Sequence, residues 1–234
     1  MSLTKLYNLA REIPKELAHY NKYTYASYRG LIDGRLVNIN DILDNLDSEV
    51  LKVVEGFGAV LLFPTKVGDE IVSVQLLTLS NEDRKRTLLG NKEIPLFLQY
   101  LGPNFKYGDT IILVEGIGDV AGLKLLDNDL IVIPTNSGTI SSKLLELIPK
   151  LTNNVIVIAD NDEKKWGIKG ANKTKRKLNN RGVNCNIIIQ YNNLKDTGDI
   201  IDLVIKYEKT KDGLIEKELN NILKYYKTSI DLYK

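Results

Sequence analysis

The apolar positions of this chain change rhythm along its length. Leu3, Leu6, Leu9, Ile13 and Leu17 recur at helical spacing, with Pro14 placed to bend or divide the segment. A second apolar-periodic stretch runs from Ile39 to Val54, so residues 1 to about 55 are expected to form helices and turns. The period then shortens. Residues 58–64 and 70–77 are β-rich runs, and Lys66-Val67-Gly68-Asp69 between them predicts a hairpin with a short turn. Arg84, Lys85 and Arg86 follow in what reads as a polar loop, and Pro95 to Tyr100 as a short helix.

From Asp109 onward, four apolar, β-branched runs alternate with helical segments. The runs are 110–115, 130–134, 155–159 and 184–190, and residues 120–126, 141–150 and 168–181 between them read as helices. Strands that are hydrophobic on both faces, alternating with helices, predict a parallel sheet covered on both sides. Right-handed crossovers then bring every strand's C-terminal end to one edge. Two more helices, 199–208 and 213–226, close the sequence, and the main boundary is expected near residues 104–108.

Composition narrows the chemistry. With 43% hydrophobic residues in 234, the chain can bury a core, and 32 basic against 30 acidic residues leave a charge of only +2. Any surface for nucleic acid must therefore come from local clustering. One cysteine, Cys185, and one histidine, His19, exclude a disulfide framework and a four-ligand zinc site within the chain. The N-terminal stretch lacks the pattern of a signal peptide, and no uncharged apolar run approaches the ~18 residues of a membrane span. A cytoplasmic location with no membrane partner is expected.

The informative residues follow the predicted strands. The first ends in Glu115-Gly116-Ile117-Gly118-Asp119 and the third in Asp160-Asn161-Asp162, and Lys195-Asp196-Thr197-Gly198-Asp199 follows the fourth. If the first and third strands are neighbours, their carboxylates converge on one crevice. Such groups repel unless a cation lies between them, and oxygen ligands without histidine or thiol suit Mg2+ or Mn2+. The structural alternative is that Asp119 and Asp162 cap the helices that follow them. The glycines of Gly116-Ile117-Gly118-Asp119-Val120-Ala121-Gly122 do not make a dinucleotide fingerprint, because the third is one position late and Glu115 and Asp119 put negative charge at the phosphate position. No P-loop is present.

These motifs resemble the Toprim family, shared by bacterial-type primases, topoisomerases and certain nucleases. Glu115-Gly116 with Asp119 looks like its first motif, and Asp160-Asn161-Asp162 like its second; the resemblance covers roughly residues 108–205. Leu62-Phe63-Pro64 ahead of a further β run, and the acidic loop from Lys195 to Asp199, are similar to the DnaG-type primase branch. The resemblance implies a primase-core-like α/β subdomain over 1–107, a Rossmann-like Toprim domain over 108–205 and a helical segment over 206–234. It implies an Mg2+-dependent nucleotidyltransferase that makes short primers on single-stranded DNA from nucleoside triphosphates. A replicative helicase or a separate zinc-module protein would be its partners. Glu115 would then be the acid/base or metal-organising carboxylate, Asp160 and Asp162 metal ligands, Asp119 their support, and Asp196 and Asp199 candidates for a second ion. One departure is Glu163-Lys164-Lys165-Trp166, which intervenes before Gly167 where primases place a glycine sooner. Lys165, Lys169 and Lys173 at i, i+4 spacing predict one basic helix face, and with Arg84 and Arg86 they are the candidate nucleic-acid or nucleotide contacts. Trp166 among them could stack on a base. The alternatives are a Toprim metal-dependent nuclease acting on DNA or RNA and a non-catalytic nucleic-acid-binding accessory protein.

Overall fold

The computed structural model describes residues 2–46, 48–54, 56–67, 70–79, 86–90, 105–135, 137–192 and 194–233. The chain divides into two compact units, Met1–Gln99 and Tyr100–Lys234.

The first unit is built on a four-stranded antiparallel sheet of order β1-β2-β3-β4. Its helix α1 (Leu3–Leu9) starts at Ser2, whose hydroxyl accepts the Lys5 N–H at 3.2 Å. The helical period does not continue. Arg11 leaves the helix to bridge Leu36, and Pro14 precedes only a single 3-10 turn at Lys15–Leu17. Leu9 is accordingly 43% exposed, so the five-residue apolar stripe belongs to more than one element. Helix α2 (Lys22–Tyr28) is capped by Asn21, and β1 (Arg35–Asn38) lies inside the stretch expected to hold only helices and turns. Two 3-10 turns and α3 (Ser48–Val54) make up the apolar-periodic stretch from residue 39 to 54. The hairpin of β2 (Ala59–Val67) and β3 (Glu70–Thr78) is present as predicted. Pro64, which has no N–H to donate, falls beyond the last β1 pair, Arg35 with Leu62, where β2 is paired on one side only. Arg86 opens a further strand, β4 (Arg86–Gly90), rather than lying in a loop. The expected helix at 95–100 lies outside the described residues. Leu6, Val37, Ile42, Val54, Leu62 and Val74 form the core of this unit.

The second unit follows the alternation read from the sequence. In chain order it contains β5 (Ile111–Val114), α4 (Ile117–Leu126), β6 (Val132–Pro134), α5 (Ser142–Leu151), β7 (Asn154–Ala159), α6 (Trp166–Asn179), β8 (Asn184–Ile189), α7 (Asp199–Thr210) and α8 (Gly213–Asp231). All four strands are parallel, in the order β6-β5-β7-β8. Every residue of β5 and β6 is buried, as expected of strands covered on both faces. The chain steps from β5 to β6 on one side and returns to β7 on the other, so the direction of winding reverses beside β5. Open parallel sheets bind their ligands at such a reversal, outside the C-terminal strand ends.

Candidate metal centre at the strand ends

β5 and β7 are hydrogen-bonded neighbours, with Leu113 opposite Val157. Glu115 and Asp160 are the first residues beyond these two strands and line the same concavity, beside Ser137 and Gly138 of the loop after β6. The convergence expected of the first and third strands is therefore present in the backbone.

Asp160 is the carboxylate with unused capacity. Its Oδ1 is buried and has no hydrogen-bond partner. Burial is the main force pushing its pKa up to about 8, and the charges of Asp119, Glu115 and Asp196 push in the same direction, with the Gln190 side-chain amide acting against them.

Asp119, Asp162, Asp196 and Asp199 each accept backbone N–H groups. Asp119, only 5% exposed, sits in the first turn of α4, where its Oδ2 accepts the Gly116 N–H at 2.9 Å. Its Oδ1 accepts the Thr197 hydroxyl at 3.0 Å and the Gly198 N–H at 3.3 Å. Asp119 thus links the first acidic motif to the third. A Cβ at Gly122 would lie 2.0 Å from the Thr197 carbonyl oxygen, so this contact requires glycine. Asp162 accepts the N–H groups of Trp166 at 3.0 Å and Gly167 at 2.6 Å, and these two bonds, Gly167 first, lower its pKa. It is the cap of α6. Asp196 and Asp199 hold each other: Asp196 Oδ1 accepts the Asp199 N–H at 3.1 Å, while Asp199 Oδ2 accepts the N–H of Lys195 at 2.9 Å and of Asp196 at 3.4 Å.

Residues 162–165 form a turn ahead of α6, closed by the Lys165 N–H on the Asp162 carbonyl at 2.9 Å. Gly167 still reaches the end of β7, where an added Cβ would lie 2.5 Å from the Asp160 carbonyl oxygen. The later glycine therefore makes the close approach despite its displaced position. Gly170 is tighter, at 1.7 Å from the Gly138 carbonyl oxygen.

Among the described residues, no three His, Cys, Asp or Glu side chains already form a cage for an ion. Glu115, Asp119 and Asp196 act on Asp160 through their charge, whereas Asp162 and Asp199 serve helix starts. An oxygen-only donor set, mutual repulsion and an unpartnered carboxylate oxygen fit a hard divalent cation.

Lys169 and Lys173 are exposed on α6, but Lys165 is not on that helix face: it precedes the helix in a left-handed conformation, φ 55°. Arg86 is exposed in the first unit, and Arg84 lies outside the described residues. Trp166 is 69% exposed. Sequence reasoning missed Gln190, although it carried the signal used for the acids, being polar and first after an apolar strand.

The family model described as Toprim-like matches residues 112–201, which hold both strand ends and the loop from Lys195. This chain carries a Toprim-like domain. The Toprim-like domain and the unit before it are similar in fold to primase catalytic cores. The DnaG primase catalytic domain bound to single-stranded DNA superposes with a TM-score of 0.61 at 13% identity, over 96% of this chain and 80% of that one. The DnaG catalytic core gives 0.52 at 14% identity, over 85% of this chain and 67% of that one. The Aquifex aeolicus primase, with zinc-binding and RNA polymerase domains, gives 0.52 at 16% identity, over 87% of this chain and 56% of that one. The chain therefore spans little more than half of that primase. At these identities the likeness is one of fold. No curated protein matches the chain. Among the described residues, no helix is long and apolar enough to cross a membrane.

Proposed function

We propose that the chain is a primase-like nucleotidyltransferase that makes short primers on single-stranded DNA with Mg2+ or Mn2+. The observation that carries this reading is the meeting of Glu115 and Asp160 at the ends of two paired strands, with Asp160 Oδ1 left unpartnered. The fold of a primase domain bound to single-stranded DNA supports it.

In this reading Asp160 is the principal ligand and Asp162 the second, because each oxygen of a capping carboxylate keeps a further lone pair. Asp119 supports the site from α4. Asp196 is assigned to a second ion, with Asp199 holding its loop. Glu115 takes the proton of the attacking 3′-hydroxyl, which bonds to the α-phosphorus of the incoming nucleotide as pyrophosphate leaves. A bound divalent cation supplies neutralisation of phosphate charge. Lys165, Lys169, Lys173, Arg84 and Arg86 are the proposed phosphate contacts. The division into a subdomain over 1–107, a catalytic domain over 108–205 and a helical segment over 206–234 is part of the same proposal, as are a helicase or zinc-module partner and a cytoplasmic location.

The test is incubation with single-stranded DNA, labelled nucleoside triphosphates and Mg2+ or Mn2+, beside Asp160→Asn. Labelled oligomers that disappear in the variant are expected. Metal-dependent shortening of the DNA without synthesis would overturn the primase reading in favour of a Toprim nuclease.

A further inference from the structure

Gln190 follows β8, the strand beside β7, and the last register pair of these strands is Ala159 with Ile189. Asp160 and Gln190 are therefore each one residue past a paired position, at the same sheet edge. Gln190 is 5% exposed, and its Oε1 accepts the hydroxyl of Tyr226, a fully buried residue of α8.

The direction of these bonds can be worked out atom by atom. The Tyr191 backbone N–H approaches the Tyr226 oxygen at 3.4 Å and can only donate. The Tyr226 hydroxyl gives its proton to Gln190 Oε1, which turns the amide's carbonyl toward Tyr226 and its NH2 away. That NH2 is buried without a partner, as is Asp160 Oδ1, and the two residues stand side by side, each one position past the last paired residues of neighbouring parallel strands. A sealed hydrophobic edge would have no use for either group.

We propose that Tyr226 and Gln190 are positioning residues that orient the Asp160 carboxylate toward a divalent cation, which makes the C-terminal helix α8 part of the working site. Helix α8 lies outside the residues matched as Toprim-like, 112–201. The inference rests on the metal-site reading above. Partners behind metal ligands commonly govern affinity by fixing ligand orientation.

The test is a Mn2+ titration of the full chain, followed by the electron paramagnetic resonance of free Mn2+, with thermal unfolding of every variant. Tyr226→Phe and Gln190→Met are each expected to weaken binding about tenfold. The double variant is expected to bind no worse than the weaker single, because both changes cut one relay. Wild-type affinity in both single variants, with none in Asp160→Asn, would overturn the relay alone. So would losses that add in the double variant and follow the fall in unfolding temperature. Absent binding in the wild type, or unchanged binding in Asp160→Asn, would instead overturn the metal-site reading. Should Tyr226→Phe fail to fold, Gln190→Met, which keeps the side-chain volume, carries the test.

Discussion

Asp160 and Asp162 are two residues apart in one motif, yet their surroundings push them in opposite directions. Asp160 is half-buried among like charges with one oxygen unpartnered, and its pKa rises to about 8. Asp162 accepts two backbone N–H groups at the start of α6, and its pKa falls. The difference shows that an acidic motif can divide its labour, one carboxylate building the frame and the other left for a ligand.

The largest test of this contrast is Asp160→Asn. A carboxyl raised in the folded state costs stability progressively as pH climbs from its unfolded value to its folded one, here from 3.8 to about 8. Wild type should therefore lose ground to Asp160→Asn across that window, by up to roughly 6 kcal/mol at pH 9, from the 1.36 kcal/mol carried by each pKa unit. Urea unfolding at pH 4 and pH 9 measures it, and equal stabilities at both would break the contrast. Mn2+ should raise the unfolding temperature of wild type and leave that of Asp160→Asn unchanged.

Next comes Gly170→Ala, whose Cβ would meet the Gly138 carbonyl oxygen at 1.7 Å. Backbone must shift there, at a cost of about 1–3 kcal/mol in denaturant unfolding. The shift should also loosen the loop that lines the site beside Glu115, weakening Mn2+ binding.

The smallest effect is expected from Asp162→Ala. Stability owed to a depressed carboxyl is present above its unfolded pKa and fades as pH falls through the folded value. The variant should therefore melt earlier than wild type at pH 6, and the gap should narrow as the pH falls below the ordinary value of 3.8. A gap that persists in acid would show that Asp162 acts there other than as a charged cap.

The contrast between the two aspartates could not be read in advance, although much around it could. In the second unit each strand is a compact β-branched run and each helix a separate stretch, so one pattern corresponds to one element. The acids then fell at the strand ends that paired. In the first unit, Leu3 to Leu17 spans α1, a bridge at Arg11 and a 3-10 turn, and the helical spacing of its apolar residues spans separate elements. Four-residue β1 is too short to show alternation. Which aspartate keeps an oxygen without a hydrogen bond depends on where the backbone N–H groups fall, and Gln190 and Tyr226 meet only once β8 and α8 have packed. No local spacing encodes either.

The bonds of Asp119 carry one more consequence. Its carboxylate holds the amides of Gly116 and Gly198, one before α4 and one before α7. Opening the turn of α4 that carries Asp119 takes the acceptor from Gly198 as well as from Gly116. In native-state hydrogen exchange these two amides should therefore share one opening free energy, with the two loops behaving as a single cooperative unit.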